Sequence, residues 1–326
     1  MTAAFTLQTR PLSRPWLISP KTKSTLEARK TMLSRLLGAL TAKNTAPKPA
    51  SRIAFDRINS NVHSLPNGVF TIGPDGSDCR HIRSSGKEPV WSPNGRKIAF
   101  LEETEDDDWL SSIFEMTPGG RNVRRLTFHK GYSASLPSWS PDSNHLVYSL
   151  WLHEDYRYQI YRLDTRGGPP VPLTDGGDSA DPVWTPSNEI VYHFSAEPRS
   201  DRQLYVMSPD GQHKRECRLF EPDDHAPAWS HDGRVILFRR DNDAYVCNPD
   251  GSGLCQVPIN RTSGVAQIVI SPDGRSVAFS ECNSYVTGYE IYVLPLDGTP
   301  ERKLVANPLG EKQEAHSYGL SWSPFL

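Results

Sequence analysis

The chain has 326 residues, 37% of them apolar, with 8 Trp, 28 Pro and 23 Gly. This supplies a sizeable core and suits a turn-rich β protein better than a helical one. The formal charge of −2 divides unevenly: residues 1–50 hold nine Lys or Arg against the single acid Glu27, for +8, and the remainder carries −10.

A basic arm on an acidic body implies two different surroundings. No apolar run approaches the roughly 20 residues that span a bilayer. The first 20 residues lack the compact apolar stretch of a secretory signal. A cytoplasmic location is therefore expected. The alternatives are import into an organelle, since residues 1–26 are acid-free and rich in Ser and Thr, or export without a classical signal peptide. Cys79, Cys217, Cys247, Cys255 and Cys282 show no CxxC or CxxH spacing, which argues against a zinc module or a disulfide framework. Cys247 and Cys255 flank a Pro249-Asp250-Gly251 turn and either face each other across a hairpin or pack as free thiols, the favoured reading.

In the arm, Pro11, Pro15 and Pro20 keep the start extended or irregular. Residues 25–40 change pattern. Leu26, Leu33, Leu37 and Leu40 share one helical face, and Ser24 with Glu27 makes a capping box. Thr41 to Ala50, with Pro47 and Pro49, reads as a linker. So short a helix needs its apolar face covered. The body's own surface, a partner protein and an anionic membrane compete for it. The first two rank higher because Arg29 intrudes on a modest apolar face, leaving membrane contact peripheral at most.

From residue 51 one stretch recurs. Trp91-Ser92-Pro93-Asn94-Gly95, followed by Ile98-Ala99-Phe100, has variants at Trp139-Ser140-Pro141-Asp142, Trp184-Thr185-Pro186, Trp229-Ser230-His231-Asp232-Gly233, Ile270-Ser271-Pro272-Asp273-Gly274 and Trp322-Ser323-Pro324. The steps of 48, 45, 45, 41 and 52 residues have the period of propellers and repeat arrays. Each repeat reads as an inner strand ending at Trp, a tight turn, an apolar second strand, a third strand, a second tight turn and a polar outer strand. Four hairpin-joined strands at this period make a β-propeller blade.

Residues 51–83 supply strands two to four of a blade without an inner strand, and residues 318–326 supply an inner strand and then stop. Apart, each fragment leaves a bare sheet edge. Joined, they complete a sixth blade. The expected fold is all-β: a six-bladed propeller over 51–326 closed by its C-terminal strand, behind a basic arm over 1–50.

The repeat resembles that of the TolB-type β-propeller family, which carries the same Trp-Ser-Pro-Asp-Gly turn before an Ile-Ala-Phe-like strand. It departs at Ile270, at Ser187-Asn188 and at His231. Members of that family include assembly factors, substrate-gating domains of peptidases and metal-dependent pectate-fragment lyases, so the resemblance implies a fold and leaves activity open.

Strand direction sorts the connections onto two faces. The first-to-second and third-to-fourth turns are uniformly tight. The second-to-third loops and the links between blades, on the opposite face, vary in length and chemistry, as binding loops do. The residues that open each inner strand stand at the mouth of the central channel: Lys87, Glu88, Asp181, Asp224, His225, Gln267 and Tyr318, with His316 nearby. They bind a small ligand, peptide or metal, or simply line a wet channel, the reading favoured here. His225 and His316 are thin material for a metal site, so no cofactor is expected and a divalent ion stays open. Trp109, closing an acidic run from Glu102, and Trp151, Tyr156 and Tyr158 are candidates for a partner surface, as are Leu33, Leu37 and Leu40 of the arm. The aromatic loop equally well packs on its own blade.

No phosphate loop, H-E-x-x-H or G-x-S-x-G stands in the sequence, and the acidic body argues against nucleic acid. Two functions follow as expectations: a non-catalytic interaction subunit of an assembly, held by protein partners, or a metal-dependent lyase or hydrolase acting on an oligosaccharide at the channel mouth.

Overall fold

A computed structural model describes residues 51–59, 67–104, 110–129, 131–152, 154–197, 202–221, 224–241, 243–259, 265–282, 289–305, 315–316 and 319–324. The arm, with the expected helix and Leu33, Leu37 and Leu40, lies outside them, as do Trp109 and Tyr318. The described strands form six antiparallel sheets, five of four strands and one of five. Inner strands Lys87–Trp91, Ser133–Trp139, Asp178–Trp184, Asp224–Trp229 and Val265–Ile270 each pair with the apolar strand that follows.

The sixth sheet joins the two ends of the sequence. Ile53–Asn59 pairs forward with Gly68–Ile72 and backward with Leu320–Trp322, in register Ile53 to Trp322 and Phe55 to Leu320. A further two-residue piece, Ala315–His316, extends the pairing to Ile58 and Asn59, so the closing strand begins earlier than the sequence indicates.

Each Trp-Ser-Pro turn is held by its serine. The Ser271 hydroxyl donates to Asp273 at 2.7 Å and accepts the Ser276 amide at 2.9 Å. Ser92, Ser140 and Ser230 repeat the pattern. The turn then needs a left-handed residue. Gly95, Gly233 and Gly274 supply it at φ near 70°, while Ser143 and Asn188 do so at 61° and 63°, Asn being among the side chains that tolerate this region best. The departure at Ser187-Asn188 is absorbed in that way.

At the closure the motif is divided between the chain's ends. The Ser323 hydroxyl accepts the amide of Arg52 at 2.7 Å, and the Ser323 amide donates to the Arg52 carbonyl at 2.7 Å. The Trp322 indole donates to the Ser51 hydroxyl at 3.1 Å.

Between blades the cores are apolar and continuous. Ile53, Phe55, Ile72, Ala278, Ile291 and Leu320 bind the closing blade to the fifth, while Ala54, Val69, Trp91, Ile98 and Phe100 bind it to the first. Cys247 and Cys255 are both buried and are not joined as a disulfide; Cys255 stands opposite Val246 rather than Cys247.

Ser323 is fully buried, so Ser323→Ala leaves the Arg52 amide without its acceptor, at about 1–3 kcal/mol. Ser271→Ala, which removes the equivalent acceptor of the Ser276 amide together with the bonds to Asp273 and Arg275 inside one continuous turn, is expected to cost at least as much. Urea unfolding of both variants checks this. A silent Ser323→Ala beside a costly Ser271→Ala would show the ring open in solution.

Candidate functional site

The inner strands are not regular where they meet the channel. Four of them place Pro two residues before Trp, as Pro89, Pro137, Pro182 and Pro227. At that point the pairing slips, between Lys87 and Val90, Ser135 and Ser138, Ala180 and Val183, and His225 and Ala228. Proline has no N–H for the ladder and restricts the residue before it. Those preceding residues, Glu88, Leu136, Asp181 and Ala226, all take φ between 50° and 55°. Each is a bulge that turns one residue out of the sheet.

The amides released by the bulges are taken up by side chains. Asp181 N–H donates to the Ser149 hydroxyl at 2.9 Å, Gln267 N–H to Ser280 at 3.2 Å, and Leu136 N–H to the Glu88 carboxylate at 3.1 Å. Asp56, wholly buried, accepts from Gly319 at 2.7 Å and from Glu88 at 3.4 Å. Glycine is required at 319, because a Cβ there would come within 2.5 Å of the Glu88 Cα. Asp56, Ser149, His193, Arg239 and Ser280 were not singled out from the sequence. All directly follow the aromatic that ends the apolar run of the second strand, and a polar residue at that repeated place was the available signal.

The channel so lined has a volume of about 510 Å³. Glu88, Asp181, His225 and Gln267 of the expected residues line it, joined by Leu136, His193 and Arg239. Lys87 stands at the rim, paired with Glu103 at 2.7 Å. Asp224 does not line the channel. It is buried and receives both arms of Arg240, at 2.7 and 2.9 Å. The His316 backbone pairs with Ile58. Among the described residues no three His, Cys, Asp or Glu converge as metal ligands.

Acidic and basic groups meet in the channel lining: Glu88 and Asp181 among the first, His193, His225 and Arg239 among the second. Burial, reinforced by Asp56 and Asp181, raises the Glu88 carboxyl to about 7 against the opposing Leu136 hydrogen bond. Burial lowers the Arg239 guanidinium. His193 is buried, and its Nδ1 stands 3.4 Å from Asp181.

The aromatic loop adjoins this mouth. Trp151 and Tyr158 pack with their rings tilted at 54° and centroids 4.7 Å apart, and Arg202 lies over Tyr158 at 5.9 Å while gripping Asp178 at 2.7 Å. Burial, then the nearby Asp181 charge, raises the Tyr158 hydroxyl. Trp151 and Tyr158 thus pack on their own blade, whereas Tyr156 is 63% exposed. Glu102 and Glu103, which open the acidic run, are engaged by Arg83 and Lys87.

The folded Glu88 carboxyl holds its proton up to about pH 7, where the unfolded one releases it near 4.5. Stability therefore falls as pH rises through that window, and the loss is complete above it. Glu88→Gln keeps an acceptor for Leu136 and removes the charge. It is expected to gain on the order of 1–3 kcal/mol at pH 8 and clearly less at pH 5. Denaturant titrations of both proteins at the two pH values measure the gap. A gap independent of pH contradicts the assignment.

The family model described as the TolB beta propeller domain matches residues 66–233, just over half of the chain. A Protein TolB homolog from Chlorobium chlorochromatii is 28% identical over 154 residues, and Tol-Pal system protein TolB 1 from Novosphingobium aromaticivorans 36% over 90. These matches take in 47% and 27% of this chain but 32% and 18% of the relatives, so the chain spans a third or less of their length. TolB from Acinetobacter baumannii matches in structure at TM-score 0.67 and 16% identity, over 94% of this chain and 74% of that one. Oligogalacturonate lyase from Vibrio parahaemolyticus does so at 0.50 and 12%, over 74% and 72%. Identities this low carry the fold alone. The family match and the six-bladed ring agree: the chain belongs to the TolB beta-propeller domain family.

Proposed function

We propose that the chain is a non-catalytic interaction subunit. Its loop face binds a protein partner around the channel mouth, and residues 1–50 tether the propeller to another component of the same assembly. The supporting observation is the exposed apolar surface on that face. Phe128, Leu136 and Tyr156 are 73%, 39% and 63% exposed, and Tyr156 rests against Trp151 at a centroid distance of 6.3 Å. Aromatic groups on a rigid rim beside a concave mouth are typical anchors of an interface. The relative from Novosphingobium bears the name of a protein of the Tol-Pal system, which fits an assembly role. The −10 charge of residues 51–326 favours a protein over a nucleic acid.

The opposite face provides a control, since Val123 and Val171 are exposed singly at the starts of two outer strands. The full-length chain carrying Tyr156→Asp with Leu136→Asp is expected to lose partner recovery on the order of 10–100-fold. The pair Val123→Ser with Val171→Ser is expected to retain it. Affinity capture of the tagged proteins from cells that make the chain gives the comparison. Equal recovery by both would place the binding surface elsewhere.

A further inference from the structure

The turn face carries a groove of about 550 Å³ where the closing blade meets the fifth. Its walls include Pro74 and Asp75 from one tight turn, Pro272 and Asp273 from another, Pro300 from a third, and Trp322 of the closing strand. Ser51 belongs to the wall as well, bound through its hydroxyl to the Trp322 indole at 3.1 Å. The residues before Ser51 therefore start at the groove by covalent connection.

We propose that residues 41–50 occupy this groove as an extended segment, with Pro47 and Pro49 against its proline and tryptophan walls and Lys43 and Lys48 facing Asp75 and Asp273. Three features support this occupant over a separate partner. The first is attachment: a segment tethered at the site has an effective concentration of about millimolar or more. Ten extended residues reach about 33–36 Å, ample to lie along it.

The second is conformation. Pro47 and Pro49 in Thr41-Ala42-Lys43-Asn44-Thr45-Ala46-Pro47-Lys48-Pro49-Ala50 favour the extended left-handed helix that grooves lined by aromatic groups receive at low entropic cost. The third is charge. The segment carries two lysines and no acid, while the groove offers two carboxylates against the single Arg302. Hydrogen bonds from Ser77 hold the Asp75 carboxyl below its ordinary range, so its charge persists at neutral pH. The root of the arm is thereby anchored on the turn face, and residues 1–40 remain to reach another component. This inference stands whether or not the loop face binds a partner.

Zero-length carbodiimide cross-linking of the full-length chain, followed by peptide mass spectrometry, tests it. Lys303 and Glu290, 2.7 Å apart, are the internal positive control. The expected product joins Lys43 or Lys48 to Asp75 or Asp273 within one chain. With the control link present, absence of these products overturns the proposal. So does joining of the two lysines to exposed loop-face acids such as Glu154 and Asp155, or their appearance only in cross-linked dimers. Pro47→Gly with Pro49→Gly, outside the folded ring, is expected to lower the yield several-fold while the control link is unchanged. An unaltered yield overturns the proline seat.

Discussion

A sheet edge that finds no partner is exposed to the wrong one, and the architecture here depends on how the last edge is covered. Three residue pairs, Ile53 with Trp322, Ala54 with Ser321 and Phe55 with Leu320, convert a row of blades into a ring. The bonds at this seam join residues 271 apart. For a flexible chain, closing such a loop costs on the order of 5 kcal/mol in entropy. The intervening blades reduce that cost, because each packs on its neighbour through a buried apolar cluster and carries the ends around towards each other. The seam itself is strengthened locally. Ser323 and Arg52 exchange two backbone-centred bonds, and apolar clusters lie on both sides of the closing strand.

Much of this was legible because the repeat is local. Trp, Ser, Pro and Asp-Gly fix a turn within five residues, so the pattern survives wherever the turn does. The half-blades at residues 51–83 and 318–326 could be joined on paper because an unpaired edge is costly. The early part of the closing strand, Ala315–His316, was missed for the complementary reason. It carries no motif, and what places it is the backbone pairing with Ile58 and Asn59.

The channel was legible in outline and not in detail. Reading the residues before each Trp found Glu88, Asp181, His225 and Gln267, but placed Asp224 one step off. The fourth inner strand turns out Ala226, the residue before Pro227, and Asp224 falls back into the blade against Arg240. The sequence Xaa-Pro-Xaa-Trp held the correct register in four blades, since proline obliges the bulge to sit there. Asp56 and Ser149 were harder to find. Asp56 spans from the closing blade to the first, and Ser149 from the second to the third. The polar residue after each second-strand aromatic marks the position locally, but the blade it reaches across to has no trace in the linear sequence.

The two faces of the ring follow from the same turn chemistry with opposite results. On the turn face the serine hydroxyls and left-handed residues hold each connection to one shape, which leaves little room for variation and sets the groove beside Trp322. On the loop face no such device recurs. Its connections differ in length from blade to blade, and Phe128, Leu136 and Tyr156 stand out from it without cost to the sheets beneath. The bulges link this freedom to the axis, because the residue each one releases, Glu88, Leu136, Asp181 or Ala226, lies between the inner wall and the variable rim. A substitution at these four places changes what the mouth presents while the proline behind it keeps the blade in register. The propeller can therefore alter what its channel mouth presents without altering the closure on which that mouth rests.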